Sequence, residues 1–181
     1  MVERPDSSAA PCHQVDAFWP LVQQYDRGLR ALAYRLVGDR DLMDDVLQEA
    51  YLKAFRALPS LRGREALGSW LYRIVYNASM DQLRRRRKAM QVPLENAPDR
   101  PDPSPDPGEV ASARRDLAAA LGALPPQMRA AVLLVDAEGL SYEEAGAIIG
   151  VPPGTVASRL SRARAVLRRT LGTDTEGANE R

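Results

Sequence analysis

The sequence has one cysteine and one histidine, which are adjacent at Cys12 and His13 in a polar first stretch. A single cysteine excludes an intrachain disulfide and a cysteine-based metal site. Two adjacent ligands in a polar tail are too few for zinc, which takes three or four protein ligands. We therefore predict no metal and no cofactor.

Aromatic residues are also scarce, at 6% of the chain, and the alternation of apolar and polar residues that marks strands is rare. No apolar run approaches the 18 residues or so that a membrane span needs, and the first residues lack a signal-peptide core. The hydrophobic content of 45% and the charged content of 27% are ordinary for a globular protein. These features predict an all-α, cytoplasmic protein without membrane insertion.

Charge is unevenly distributed, although the net charge of +1 argues nothing for nucleic acid. Basic residues cluster at Arg84–Lys88 and Arg159–Arg169. Acidic residues cluster at Asp39–Glu49 and in the proline-rich middle of the chain. Such segregation predicts opposite faces for opposite partners.

The most organised stretch is Ser141–Leu171, which is typical of two helices joined by a tight turn. Ser141 precedes Glu144 by three residues, the spacing of a capping box. Gly150 stands where a helix commonly ends in the left-handed conformation. From Val156 onward, apolar residues recur at steps of four, three and four, which predicts one buried stripe of a long helix.

The second of these helices carries charge of one sign, because residues 151–171 include five arginines and no acidic residue. A short helix, a glycine turn and a long helix that is apolar inside and basic outside make a helix-turn-helix, whose second helix reads DNA. An ordinary helical hairpin with a solvated basic face is the alternative. It explains the cap, the turn and the charge less well together.

The first half of the chain predicts a disordered tail at residues 1–14 and helices at about 15–37 and 41–58, each with one apolar face. Acidic residues gather in the first turns of the second helix. They either stabilise the helix dipole or form a docking surface for a basic partner, and their chemistry favours neither interpretation.

A glycine-containing loop at 59–69 precedes a third predicted helix, which Ser69 can cap and which ends in the five basic residues Arg84–Lys88. Five cations exceed what the helix dipole requires. Basic side chains, an amide and aromatic rings on a loop and a helix suit unpaired bases and their phosphates. A core tryptophan beside a solvated basic end is the alternative.

Residues 91–109 include six prolines, several acids and hardly any apolar residue, which predicts a flexible Pro-rich linker. The linker divides the chain into two small helical domains, at 15–90 and 110–171. The second domain is predicted to have four helices, including the helix-turn-helix. Residues 172–181 are predicted to be a polar tail.

Three segments, in this order, resemble the extracytoplasmic-function (ECF, group 4) sigma factors of the sigma-70 family. DLMDDVLQEAYLKAF is similar to the family's acidic region 2.2 helix, LRGREALGSWLYRIVYNASMDQLRRRRK to regions 2.3 and 2.4, and LSYEEAGAIIGVPPGTVASRLSRAR to region 4.2. The resemblance covers residues 15–88 and 110–171. It implies that the two domains are sigma domain 2 and sigma domain 4.

The resemblance further implies a non-enzymatic protein that binds core RNA polymerase, at its β′ clamp helices and β flap. The protein would direct initiation at promoter DNA in response to stress or another signal, with an anti-sigma factor as regulator. The residues that match the family's polymerase contacts are Asp41, Asp44, Asp45, Gln48 and Glu49. Those that match the −10 element contacts are Arg62, Gly63, Arg64, Ser69, Trp70, Arg73, Asn77, Arg84, Arg85 and Arg86. Those that match the −35 element contacts are Pro153, Gly154, Thr155, Ser158, Arg159, Ser161, Arg162 and Arg164.

At Ala157 many relatives of this family have lysine or arginine. We therefore expect readout of the −35 element to depend more on Arg162 and on DNA shape.

Two other functions fit part of the sequence. A stand-alone two-domain helix-turn-helix regulator explains the second domain, but it gives the acidic helix and residues 70–88 no function. Tight duplex binding by the isolated protein would favour it. An enzyme with a nucleic-acid module fits least, because the chain has no P-loop, no paired ligands and no histidine beyond its first residues.

Overall fold

The computed structural model describes residues 10–58, 67–90 and 109–177, with side chains at 18–58, 67–89 and 112–172. Every regular element in these ranges is helical, so the all-α prediction is confirmed. The N-terminal module consists of α1 (Ala10–Val37), α2 (Arg40–Ala57) and α3 (Leu67–Met90). The C-terminal module consists of α4 (Glu109–Ala123), α5 (Pro126–Val132) with a π-helical turn (Leu133–Ala137), α6 (Tyr142–Ile149) and α7 (Pro153–Gly177).

Both ends of the described chain are more helical than predicted. α1 begins at Ala10 and therefore includes residues 10–14, which were predicted to belong to the tail. Pro11 fits there because the first turn of a helix needs no proline N–H. α7 continues to Gly177, so residues 172–177 of the predicted polar tail are helical. Polar residues at a helix end need no buried partner, and hydrophobic periodicity therefore cannot mark the last turn.

Two other helix starts also differ from the prediction. α2 begins one residue early because Asp39 is its N-cap, with a carboxylate that accepts a hydrogen bond from the Leu42 N–H at 3.0 Å. α3 begins at Leu67, so Ser69 lies inside the first turn and the prediction that it caps the helix is wrong. Leu67 is only 2% exposed, and its burial draws this turn into the module. The predicted linker falls outside the described residues except for Glu109, which already belongs to α4.

The apolar faces of α1, α2 and α3 pack against one another, which confirms the faces predicted for α1 and α2. The buried side chains of this core are Phe18, Val22, Leu29, Leu32, Ala33 and Leu36 from α1, Val46, Leu47, Ala50 and Ala54 from α2, and Leu71, Val75 and Ala78 from α3. Each large aliphatic side chain buried in this way contributes about 1.5–3 kcal/mol to folding. This core fixes the outward faces of α2 and α3.

The C-terminal module is built in the same way around α5, α6 and α7. Its buried apolar side chains are Leu121, Leu124, Ala130, Ala131, Val132, Leu133, Leu134, Ala145, Ile148, Val156, Leu160 and Ala163. Many of these are alanine, so the helices approach closely. The stripe predicted from Val156 is confirmed over its first three members, whereas Leu167 is half-buried.

The two modules also pack against each other, with α3 along α6, and with α1 against α4 and α5. Their buried residues form one continuous core. The sequence predicted two modules joined by a flexible linker, but it did not predict how the modules pack against each other. Hydrophobic periodicity shows which face of a helix is buried, but not which distant helix covers it.

A buried arginine connects the modules. The Arg129 guanidinium, on α5, donates hydrogen bonds to the carbonyls of Arg35 and Leu36 at 3.2 and 2.9 Å, at the end of α1. It also donates to the carbonyls of Gly122 and Leu124 at 2.5 and 3.1 Å, at the end of α4. Burial lowers the pKa of Arg129. One side chain thus satisfies the last carbonyls of two helices, one from each module.

Candidate nucleic-acid interface

The predicted helix-turn-helix is formed by α6 and α7. The Ser141 Oγ accepts a hydrogen bond from the Glu144 N–H at 3.2 Å, and the Glu144 carboxylate accepts one from the Ser141 N–H at 2.8 Å, which confirms the capping box. These bonds to Ser141 hold the pKa of Glu144 below its ordinary value. Gly150 ends α6 at φ +79, the left-handed conformation predicted for it.

A close contact inside the turn depends on Gly146, which the sequence analysis missed. A Cβ at this position would lie 2.7 Å from the Val151 carbonyl oxygen, closer than such atoms tolerate. The Gly146 carbonyl accepts hydrogen bonds from the Gly150 and Val151 N–H groups at 2.8 and 3.0 Å. The glycine thereby lets the turn fold tightly against α6. An isolated glycine within a helical pattern is the signal that could have indicated it.

The residues of α7 that match −35 contacts divide into an exposed and a half-buried set. Pro153, Gly154, Ser161, Arg162 and Arg164 are exposed, and Thr155, Ser158 and Arg159 are half-buried. The Ser158 hydroxyl donates to the Thr155 carbonyl at 3.0 Å. Arg164 forms a two-pronged ion pair with Asp136 of the π-helical turn, in which Nε lies 3.1 Å from Oδ2. This ion pair therefore links α7 to the π-helical turn of the same module.

Arg159 extends toward the N-terminal module. Its Nη1 atom is buried and has no hydrogen-bond partner in the described part of the chain. Burial raises the pKa of the Tyr76 hydroxyl on α3, while the positive charges of Arg159 and Arg84 act in the opposite direction. The guanidinium of Arg159 thus lies in the electrostatic neighbourhood of α3 without a carboxylate to receive it.

Among the α3 residues that match −10 contacts, Ser69 and Trp70 are half-buried, and Arg73 and Asn77 are exposed. The Arg73 Nε donates a hydrogen bond to the Ala147 carbonyl on α6 at 2.9 Å. This bond crosses from one module to the other. The remaining members of the predicted loop, Arg62, Gly63 and Arg64, lie outside the described residues.

Further along α3, the basic end is partly neutralised by its own module. Arg84 pairs with Asp81 at 2.5 Å, and Arg85 reaches the Glu49 carboxylate on α2 at 3.3 Å. Arg86 is half-buried. These arginines remain largely exposed, and such surface pairs contribute only about 0–1 kcal/mol, so a phosphate can replace either carboxylate at little cost.

A cavity of about 960 Å³ separates α3 from α5 and α7, and we call it the basic cleft. Arg84 and Arg87 line it from α3, and Arg159 and Arg162 line it from α7. Its other lining residues are Tyr76, Asn77, Met80, Leu83, Pro125, Pro126, Gln127, Met128, Ile149, Thr155 and Ser158. Among the described residues its lining includes apolar side chains and no acidic residue. It brings together residues that match −10 contacts and residues that match −35 contacts.

The residues that match polymerase contacts lie on α2, at the spacing of one helical face. Asp41, Asp44, Asp45 and Gln48 are exposed, and Glu49 is half-buried; these five residues form the acidic surface. Asp44 pairs with Arg30 at 3.2 Å. Glu49 pairs with Lys53 at 2.6 Å, and Lys53, with Arg85 adding to its effect, lowers the pKa of Glu49.

Leu52 continues the row of the acidic surface one helical turn beyond Gln48, and the sequence analysis missed it. Its side chain is 50% exposed, the largest exposed fraction among the apolar residues that stand out on the described surface. The signal was a leucine outside the apolar face of α2, four residues after Gln48.

The described ranges hold neither a metal centre nor a membrane span. No three histidine, cysteine, aspartate or glutamate side chains converge there as metal ligands do. No helix of those ranges is long and apolar enough to cross a membrane. Cys12 and His13 lie on α1 before the first described side chain.

A helix-turn-helix, a cleft lined by four arginines and a separate acidic helix define the class of helix-turn-helix transcription proteins. Two family models match the chain, Sigma-70 region 2 over residues 21–89 and Sigma-70 region 4 over residues 114–167. The chain belongs to the sigma-70 family, in its extracytoplasmic-function (ECF) group.

Individual relatives support this assignment. The chain is 38% identical over 182 residues to the ECF RNA polymerase sigma factor SigM of Mycobacterium tuberculosis strain H37Rv, across 99% of this chain and 91% of that protein. It is 43% identical over 152 residues to the ECF RNA polymerase sigma factor SigE of Mycolicibacterium smegmatis, across 82% of this chain but only 59% of that protein.

A solved relative has a similar fold. The sigma factor RpoE of Bartonella quintana, in a co-crystal structure with the anti-sigma factor NepR, superposes with a TM-score of 0.71 at 31% identity. The superposition covers 88% of this chain and 99% of that one. It therefore extends over both modules.

Proposed function

We propose that this protein is a promoter-specificity subunit that joins core RNA polymerase in the cytoplasm and has no catalytic activity of its own. The observation that carries the proposal is the presence, in one chain and in the order of the family, of an acidic helix, a basic helix and a helix-turn-helix. The matched regions at 21–89 and 114–167 contain all three. In this proposal the predicted domains at 15–90 and 110–171 act as sigma domain 2 and sigma domain 4.

The acidic surface is the proposed site for the β′ clamp helices of polymerase. Asp41, Asp45 and Gln48 are exposed on it, whereas Asp44 and Glu49 already have basic neighbours. Leu52 adds an apolar side chain at its end. Charged residues at such a contact accelerate encounter and exclude wrong partners, while a buried apolar side chain contributes affinity. The C-terminal module is the proposed site for the β flap.

The DNA contacts are assigned to α3 and α7. Trp70, Arg73 and Asn77 are suited to unpaired bases of the −10 element, because aromatic rings and amides bind bases in the absence of pairing. Arg84, Arg85 and Arg86 are suited to the phosphates. The N-terminal half of α7, with Arg162 exposed, enters the major groove of the −35 element. Residues Arg62, Gly63 and Arg64 complete the −10 contacts in the proposal.

An anti-sigma factor is the proposed regulator. The solved RpoE is bound to one, and it shares both modules with this chain. In this chain the apolar side chains of Met80, Leu83, Met128 and Ile149 line the basic cleft together with its arginines. An amphipathic acidic helix complements such a lining, because its apolar face packs on the apolar side chains and its carboxylates pair with the guanidinium groups.

Run-off transcription with purified core polymerase and a library of random promoters tests the proposal. We expect the complete chain to select templates that share two spaced elements, and core polymerase by itself to select none. Failure to associate with core polymerase, or association without any selected start, would refute it. Tight, sequence-specific duplex binding by the isolated chain would instead support the stand-alone regulator.

A further inference from the structure

Most arginines of the basic cleft have no carboxylate partner. Arg84 pairs with Asp81 at 2.5 Å, whereas Arg87, Arg159 and Arg162 form no ion pair within the described part of the chain. Arg84, Arg87 and Arg162 are exposed, so a ligand can reach them from solvent. Guanidinium groups that line one cleft repel one another and attract anions. The cleft therefore suits a ligand with several negative charges.

Arg159 has the clearest need of such a ligand. Its side chain lines the cleft, but its buried Nη1 atom has no hydrogen-bond partner in the described ranges. A buried donor without an acceptor is unfavourable. A rotation of this long side chain into the cleft would give the nitrogen an anionic acceptor. Arginine binds phosphate through two parallel N–H···O bonds, so phosphate is the anion whose shape matches best.

The rest of the lining suits a planar ring with polar edges. Its apolar side chains include those of Met80, Leu83, Met128 and Ile149. The amides of Asn77 and Gln127 are exposed in the same lining and form no side-chain hydrogen bond within the described residues. An amide has both a donor and an acceptor for the edge of a nucleobase, while thioether and aliphatic groups pack on its face.

The size and the walls of the cleft also fit a nucleotide. Its volume of about 960 Å³ lies within the range of small-molecule sites, roughly 300–1,000 Å³, and far exceeds the needs of one phosphate. The Tyr72 hydroxyl donates to the Glu138 carboxylate at 2.5 Å, and the Arg73 Nε donates to the Ala147 carbonyl at 2.9 Å. Both bonds join α3 to the C-terminal module, and a site with fixed walls loses less entropy when a ligand binds.

We propose that the basic cleft is a binding site for a nucleoside polyphosphate, with its four arginines on the phosphates and the Asn77 and Gln127 amides at the base. This binding does not rest on the proposed function. One consequence does rest on it: a bound nucleotide and promoter DNA would compete for the same arginines.

Calorimetric titration of the full chain tests the site, with ATP and GTP as probes and adenosine and inorganic tripolyphosphate as their parts. We expect saturable binding of a nucleotide with a Kd below about 1 mM. Each part should bind at least roughly tenfold more weakly, because it lacks either the phosphates or the base. Absence of saturable nucleotide binding would overturn the site. Tripolyphosphate bound as tightly as ATP would overturn its assignment to a nucleotide.

Substitutions locate the binding in the cleft. Arg159→Met and Arg87→Met each remove a guanidinium but keep an aliphatic stem, from α7 and α3 respectively. We expect each to weaken nucleotide binding by roughly 10- to 100-fold, as the loss of a hydrogen bond to a charged group implies. Arg159→Lys keeps the charge without the two-pronged geometry and should recover only part of the affinity.

Lys88→Met and Arg168→Met are the matched controls. Each removes one exposed cation from the same two helices, at a position outside the lining of the cleft. We expect nucleotide binding within about twofold of the parent, because distant exposed charges are screened by salt. Equal losses in the controls and in the cleft variants would overturn the site, since any surface cation would then serve.

Thermal denaturation separates a binding role of Arg159 from a structural one. Without nucleotide, Arg159→Met should unfold at the parent's midpoint or above it, because an unpartnered buried donor is removed. ATP at about 100 times its Kd should raise the midpoint of the parent by roughly 5–10 °C and that of the variant far less. A lower midpoint of Arg159→Met without nucleotide would overturn its assignment to phosphate.

The two proposals fail in different ways. A chain that binds ATP but never joins core polymerase would refute the proposed function and keep the site. A chain that directs transcription but binds no nucleotide would refute the site alone. ATP at about 100 times its Kd should weaken binding of a fluorescent single strand to the free protein at least roughly tenfold. Unchanged strand binding would overturn the shared use of the arginines.

Discussion

The acidic surface and the basic cleft of this protein differ in how they are built. The acidic surface of α2 faces solvent, with Asp41, Asp45 and Gln48 exposed and Leu52 exposed beside them. The basic cleft lies between the modules, and its arginines face one another across a cavity of about 960 Å³. The acidic surface thus belongs to one helix, whereas the basic cleft is shared between the two modules.

The difference lies in how many helices each surface needs. The acidic surface belongs to α2 alone and depends on spacing within one helix, whereas the basic cleft exists only where α3 packs beside α5 and α7.

The largest expected effect comes from reversing charge on the exposed surface. Asp41→Lys with Asp45→Lys should weaken binding to core polymerase by roughly 100-fold, about 2.8 kcal/mol, because like charges then meet across the contact. Fluorescence anisotropy with labelled core enzyme measures this effect. Asp116→Lys, which reverses an exposed acid on α4, should leave binding within about twofold. Undiminished binding of the double variant would remove α2 from the proposed contact.

The next effect concerns Arg129, the buried arginine that connects the modules. Arg129→Met keeps the aliphatic stem but leaves the carbonyls of Arg35, Leu36, Gly122 and Leu124 without their donor. We expect a loss of about 2 kcal/mol in the free energy of unfolding, since removing a buried charge offsets part of the cost. Thermal denaturation should then show a midpoint lower by about 4–8 °C.

Arg114→Met, on the surface of α4, is the control for Arg129 and should leave the midpoint within about 1 °C. An Arg129→Met variant as stable as the parent would mean that solvent can satisfy these carbonyls. The hydrogen bonds of Arg129 would then contribute nothing to holding the two modules together.

A smaller effect is expected from one arginine of the cleft. Arg162→Ala should reduce discrimination of the −35 element by about tenfold, or ~1.4 kcal/mol, because a guanidinium that binds a base edge is lost. Competition between matched and mutated promoters for the polymerase complex measures it. Arg168→Ala, further along the exposed side of α7, should weaken all DNA alike. The same promoter preference in both variants would contradict the assignment.

The smallest effect comes from the cap of the helix-turn-helix. Ser141→Ala removes the hydroxyl that accepts the Glu144 N–H, and should cost about 1 kcal/mol and 2–4 °C. Ser112→Ala, on α4, should have little effect. Because the fold lowers the pKa of Glu144, its contribution is present above the ordinary value of 4.5 and is lost as pH falls through the lower folded value.

A pH series of unfolding midpoints for the parent and Ser141→Ala checks this sign. The difference between the two proteins should shrink in acid. A difference that grows in acid would show that Glu144 is not held as its carboxylate by this cap.

Local features of the site were predictable from the sequence. The capping box joins Ser141 to a residue three positions away, and Gly150 ends a helix whose pattern is complete within eight residues. The buried stripe of α7 depends on spacing alone. Gly146 and Leu52 were missed for a different reason: each is defined by what it contacts or fails to contact, and helical spacing does not reveal this.

The contacts between the modules were not predictable. Tyr72 and Glu138 are 66 residues apart, Arg73 and Ala147 are 74 apart, and Arg129 reaches a carbonyl 94 residues away. Arg129 lies in an apolar stretch of the sequence, but nothing in that stretch indicates that its charged side chain is buried. In the sequence, Gly28 is only a residue that disfavours the middle of a helix. The structure shows that a Cβ there would collide with the Tyr72 hydroxyl and the Glu138 carboxylate.

The sequence alone determined the helices, the apolar face of each, the turn of the helix-turn-helix and the separation of acidic from basic charge. All of these depend on interactions within a few residues or on composition. Only the tertiary structure decided that the basic surfaces face each other and that a glycine, a tyrosine and a glutamate meet between them. That arrangement depends on shape and on hydrogen bonds between distant helices, which no local pattern encodes.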